Sequence, residues 1–109
     1  MSQWLAALRG RHTGIAWYQA EQYERMMLVR EDGDRLPATF DLWLKGAQRA
    51  VEEYFRVGVN AYKIEVDVDE LLIWCGAMGL TVNERSTGSF VNHQLSLLLG
   101  VDPGPDLAH

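Results

Sequence analysis

Val59-Asn60-Ala61-Tyr62-Lys63-Ile64-Glu65-Val66-Asp67-Val68-Asp69-Glu70 is the stretch on which the fold turns. Tyr62, Ile64 and Val66 alternate with Lys63 and Glu65, the period-two pattern of a strand with one wet face. The period changes at Asp67. Asp67 and Glu70 have the spacing of a capping box, with Asp in the place usually held by Ser or Thr. Behind them Val68, Leu71, Leu72, Cys75 and Met78 recur at helical spacing, Ile73 and Trp74 widen that apolar face, and Gly79 closes the helix. A half-buried strand that runs straight into a capped amphipathic helix predicts an α+β domain.

Upstream of this junction, the clearest helix follows Pro37, with Thr39 as its N-cap. Phe40, Trp43, Leu44, Ala47, Val51, Tyr54 and Phe55 share one stripe, and Gly58 stops the helix. An earlier helix is expected from about Ala20 to Arg30, with Tyr23, Met26 and Met27 on one face and Glu31-Asp32-Gly33-Asp34 as the turn that ends it. Before it, Gly14-Ile15-Ala16-Trp17-Tyr18 reads as a short strand. Ser2 is positioned to cap a short N-terminal helix carrying Trp4, Leu5 and Leu8.

Downstream, Leu80-Thr81-Val82 is extended, and Ser86 is expected to cap a last helix whose face is Phe90, Val91, Leu95 and Leu98. Asp102-Pro103-Gly104-Pro105 cannot continue a helix, so a loose tail is expected over 100–109. The order is (α)-β-α-α-β-α-α: four main helices on a small two-stranded sheet, in one domain over 1–109 with an N-terminal arm over 1–13. The two strands, separated by a helical pair, should pair with each other in a direction that the pattern leaves open. The helices should pack on one face of that ribbon. A two-stranded ribbon is marginal alone, so the helices must supply most of the core.

Composition agrees with one ordinary globular domain. The chain has 109 residues, 48% of them hydrophobic, enough for a real core without disulfide staples. Net charge is −5, from fifteen acids against ten bases, which opposes general attraction to nucleic acid or an anionic membrane. Arg9-Gly10-Arg11-His12 is the densest basic run and reads as a solvated linker. Neither a signal peptide nor a run near the ~20 apolar residues of a membrane span is visible, and a cytoplasmic location is expected. The single cysteine, Cys75, rules out an intrachain disulfide and fits a reducing compartment.

The chemistry-bearing patterns are few. The sequence has no G-x-S-x-G, H-E-x-x-H, C-x-x-C or phosphate-binding glycine loop. His12, His93 and His109 stand far apart, so neither a metal nor a cofactor is expected. Glu65, Asp67, Asp69 and Glu70 are the sharpest cluster, suited to a cation or to paired acid and base work. Capping and the helix dipole explain the same carboxylates without a ligand. Cys75, mid-helix on the apolar face, reads as a buried thiol.

Ile15-Ala16-Trp17-Tyr18, the helix start Thr39 to Trp43, and Val66-Asp67-Val68-Asp69 with Trp74-Cys75 together resemble a family of short bacterial proteins of unknown function. The resemblance runs from Gly14 to Leu95. It implies a bacterial, cytoplasmic setting and no activity.

Three functional expectations result. The first is a non-enzymatic domain working through protein–protein contacts or self-association. Its candidate surface is Trp4, Leu97 and Leu99, because Leu97 and Leu99 lie off the face shared by Leu95 and Leu98 and tryptophan favours interfaces. The second is a small-ligand binder or enzyme with a cleft at the strand-to-helix junction, drawn from Trp17, Asp67, Trp74 and Arg85. The third is helix-turn-helix-like DNA binding by the last two helices. It is weakened by the long link from Gly79 to Arg85 and by the absence of Lys or Arg from Ser86 to Gln94.

Overall fold

A computed structural model describes residues 12–100. The N-terminal helix expected around Trp4, the start of the N-terminal arm and the tail beyond Gly100 lie outside the described residues. Within them the chain runs β1 (His12–Trp17), α1 (Ala20–Val29), a 3-10 turn (Gly33–Arg35), α2 (Phe40–Arg56), β2 (Asn60–Glu65), α3 (Val68–Met78) and α4 (Glu84–Leu98). This is the α+β arrangement of four helices and a two-stranded sheet.

β1 and β2 pair in parallel, with His12 opposite Asn60 and Trp17 opposite Glu65. Parallel pairing needs a long crossover, and α1 with α2 supplies it. The Val66 amide extends the ladder by donating to the Trp17 carbonyl at 3.0 Å.

The two faces of the sheet differ. A Cβ added at Gly14 would meet Val91, Ile64 and Leu95, so Gly14, Ala16, Tyr62 and Ile64 face α4. The opposite face carries Ile15, Trp17, Lys63 and Glu65, with the Lys63 ammonium 4.5 Å from the Trp17 ring centre. The helices do not all lie on one face. α2 reaches this second face through Trp43, whose ring meets Trp17 edge-on at 5.4 Å. Trp43 also packs on Tyr18, Tyr23 and Phe40 at centroid distances of 5.0, 5.9 and 5.6 Å.

One core joins α1, the sheet, α3 and α4. Its most deeply buried members include Tyr23, Met26, Val68, Leu71, Cys75, Phe90 and Val91. Each large apolar side chain removed from water contributes about 1.5–3 kcal/mol before chain entropy is counted. α2 contributes least: Ala47 is its only buried residue, although its apolar stripe is the longest in the chain. The stripe is half-covered near Trp43 and Leu44 and exposed at Tyr54.

Local signals end the helices as expected at several points. Thr39 accepts from the Leu42 amide at 3.2 Å, and Asp67 accepts from the Glu70 amide at 3.0 Å. After α2 the Val59 amide donates to the Tyr54 carbonyl at 2.8 Å around Gly58, which has a φ of +81°. The last helix corrects the sequence reading. Its cap is Asn83, not Ser86: the Asn83 side chain accepts from the Ser86 amide and the Ser86 hydroxyl accepts from the Asn83 amide, both at 2.9 Å. Ser86 is thus the inner half of a capping box, and its buried hydroxyl donates to the Thr81 carbonyl at 2.6 Å.

Two faces also differ from expectation. Ile73 is 73% exposed and Leu98 is 64% exposed, so neither belongs to the buried face of its helix. α3 buries Val68, Leu71 and Cys75, the i, i+3, i+7 stripe, and this narrow contact leaves Leu72, Ile73 and Met78 outside, against the expectation for that face. α4 buries Phe90, Val91 and Leu95 and has run past the sheet by Leu98.

Candidate functional site

Two cavities among the described residues lie where the 3-10 turn meets the start of α4. The smaller, about 250 Å³, runs along β1, with Gly14, Ile15 and Ala16 as its floor. Leu36 and Trp43 stand on one side, and Thr87 and Gly88 of α4 on the other. The larger, about 520 Å³, is lined by Glu31, Asp34, Arg35 and Arg85 among others, and Glu84 belongs to both. The smaller volume falls below the ~300–1,000 Å³ of small-molecule pockets, and the larger lacks the apolar walls such pockets have.

A part-buried ion pair holds this corner together. α1 ends at Val29, and the next side chain, Arg30, is only 6% exposed. Its Nε and Nη2 donate to the two Asp32 oxygens at 2.8 and 2.9 Å. Asp32 also accepts from the Glu84 amide at 3.1 Å, so one carboxylate ties the end of α1 to the first turn of α4. The Arg30 hydrogen bonds hold the Asp32 carboxyl down at about 2. Burial pushes the nearby Tyr18 hydroxyl above its ordinary value, with Arg30 opposing the shift. A second backbone link, from the Glu31 amide to the Val82 carbonyl at 2.7 Å, closes the corner.

Sequence reasoning read Asp32-Gly33-Asp34 as a turn and missed this role. Its only trace was the Arg30-x-Asp32 spacing, which many surface turns share. The close approach at Gly33 was also hidden. A Cβ there would lie 1.9 Å from the Met27 carbonyl oxygen, so the turn folds back onto α1 only with glycine.

The four residues proposed for a junction cleft do not gather. Trp17 packs edge-on with Trp43 and under the Lys63 ammonium on the outer sheet face. Asp67 is occupied as the α3 cap, and it borders neither cavity. Trp74 is half-buried against Phe90 and His93, with centroids 5.6 and 6.1 Å away. Arg85 alone lines a cavity, the larger one. The acidic cluster is likewise divided among structural partners: Asp69 pairs with Arg25, Glu65 accepts from Gln19, and the Val68 amide donates to Gln22 at 3.0 Å. Among the described residues, no three His, Cys, Asp or Glu side chains are placed to hold a metal ion. Cys75 is buried.

The surface candidates are placed differently. Leu97 is 59% and Leu99 41% exposed, while Trp4 lies outside the described residues. For helix-turn-helix binding, α4 would be the reading helix. It buries five residues, and its one Lys or Arg, Arg85, follows Glu84. No described helix is long and apolar enough to cross a membrane.

Comparison with known proteins returns no family model, no curated protein and no solved structure that matches. Nothing there bears on the resemblance to short bacterial proteins.

Proposed function

We propose that this chain is a small non-enzymatic cytoplasmic domain that works through protein–protein contact, including contact with copies of itself. The observation that carries this reading is the exposure of large apolar side chains on helix faces that no described element covers. Leu28, Phe55 and Ile73 are 85%, 83% and 73% exposed. Tyr54 and Val57 are also exposed at the end of α2, Leu72 and Met78 on α3, and Leu97, Leu98 and Leu99 at the end of α4. Scattered apolar residues are ordinary on a surface, but neighbouring groups of this kind favour an interface. The single reduced-type cysteine, kept buried, is compatible with a cytoplasmic setting.

Sedimentation velocity over a wide concentration range tests the reading. The wild-type chain should shift to a larger species as concentration rises, and Phe55→Ser with Ile73→Ser should hold it as a monomer. A wild-type chain that stays monomeric throughout, with no change on double substitution, would remove self-association.

A further inference from the structure

We infer that the free edge of β1 is a docking site for an extended peptide with a basic end, which adds to the sheet as a third strand. Among the described residues the sheet has two strands, so each strand keeps one open edge. Alternate residues of a strand point their amide and carbonyl groups to the same side. Trp17 points toward β2, since its carbonyl accepts from Val66. Gly14 and Ala16 therefore direct their backbone groups to the open side, and among the described residues no backbone partner outside the ladder meets them.

The two edges are not equivalent. On β2 the outward-directed residues include Lys63 and Glu65, exposed charges of the kind that discourage further pairing. On β1 Gly14 and Ala16 are small and uncharged, and His12 stands at the strand's first position. Every residue of β1 is half-buried, including those over the centre of the fold. The open edge is also the floor of the 250 Å³ groove, with Trp43 rising on one side and Gly88 on the other.

Those walls choose the occupant. Pairing β1 with β1 of a second copy would bring two pairs of walls together across the same seam. A single extended chain needs only the width between them, and main-chain hydrogen bonds to a strand edge are a common mode of peptide capture. Charge sets the preferred end. Glu84 also lines the larger cavity, where Glu31, Asp34 and Glu84 stand with Arg35 and Arg85, while Asp32 is already neutralised by Arg30. One carboxylate is in excess, on a chain of net charge −5, so the peptide's Lys or Arg belongs there. None of the apolar residues invoked for self-association lines this groove, so the site goes beyond that reading and stands apart from it.

The test uses the full chain and short fluorescein-labelled peptides of alternating Val and Thr, in three series. One ends in Lys-Arg, one ends in Glu-Glu, and one repeats the first with alternate amides N-methylated in either register. Gly88 lines the groove from α4 with nothing within 4 Å of an added Cβ, so Gly88→Leu is the blocking variant. Gly76→Leu, equally unobstructed on α3, is the control. Fluorescence polarisation should show saturable binding of the basic series, about tenfold weaker binding of the acidic series, and loss on N-methylation in one register only. Gly88→Leu should abolish the signal and Gly76→Leu should not. Hydrogen exchange should find the Gly14 and Ala16 amides open in the free chain and protected with peptide. Equal binding of all series, no saturable binding, or indifference to Gly88→Leu would overturn the proposal. So would Gly14 and Ala16 amides already protected without peptide: concentration-dependent protection assigns the edge to a second copy, and concentration-independent protection assigns it to this chain's own residues. Sedimentation is read separately, so self-association can survive while the peptide site fails.

Discussion

Arg30 and Asp32 form a two-point ion pair, Nε to Oδ1 at 2.8 Å and Nη2 to Oδ2 at 2.9 Å, across the turn that ends α1. The pair is more than a surface contact because the guanidinium is nearly buried and the carboxylate also holds the first amide of α4. Removing Asp32 would leave a buried cation without its partner. Asp32→Ala should therefore destabilise the chain by ~2–3 kcal/mol, measured as the shift in a urea unfolding curve.

The same pair dictates an acid response. The Asp32 carboxyl is lowered from 3.8 to about 2 in the folded chain, chiefly by hydrogen bonds from Arg30. A depressed folded value means that its stabilisation is complete above 3.8 and is lost as pH falls toward about 2. Asp69 responds in the same direction through Arg25, but in an exposed pair screened by solvent. Unfolding curves at stepped pH should show stability falling through this window, and Asp32→Asn should flatten the fall. An unchanged slope in Asp32→Asn would remove the assignment.

Two glycines should respond in opposite ways to the same added methyl. Gly33→Ala drives a Cβ into the Met27 carbonyl, a backbone atom that cannot swing aside, and should cost about 2 kcal/mol or more. Gly46 sits inside α2 with nothing within 4 Å of an added Cβ. Gly46→Ala should stabilise by about 0.5–1 kcal/mol, because alanine has less backbone freedom to lose. Thermal melts of the two variants should move in opposite directions from the wild type.

The caps of α3 and α4 should differ in weight. Asp67 contributes one side-chain acceptor at an exposed helix start. Asn83 contributes a reciprocal pair with Ser86 beside the core, and its amide group also reaches Glu31 at 3.3 Å. Asp67→Ala should cost about 1 kcal/mol and Asn83→Ala nearer 2, compared by denaturant midpoint at constant m. Equal losses would mean that the second half of the box adds nothing.

Cys75 should be chemically silent in the native chain. It is 1% exposed and packs within the core of α3 and α4. A thiol reagent should label it no faster than the chain opens, and urea should restore full reactivity. Cys75→Ser should destabilise by about 1–3 kcal/mol, since it places a hydroxyl where a sulfur was packed.

Much of the architecture was legible because its signals are local. The alternation over Tyr62 to Val66, the change of period at Asp67, the caps at Thr39 and Asp67 and the stop at Gly58 all act within one helical turn or one strand pleat. Their residue types give the element order and the α+β class before any contact between elements is known. Asn83 was missed for a local reason too: Asn-x-x-Ser satisfies both halves of a box without the acidic residue that usually announces one.

What remained belongs to tertiary structure, because it depends on distances that sequence spacing does not set. Parallel pairing of β1 with β2 follows from how α1 and α2 cross over, not from either strand's pattern. Which side of an amphipathic helix is covered depends on how many neighbours it meets, so Ile73 and Leu98 carry apolar side chains at helical spacing and still face water. The grip of Asp32 on both Arg30 and Glu84, and the groove lined by Gly14 and Ala16, exist only because three separate elements converge on one corner.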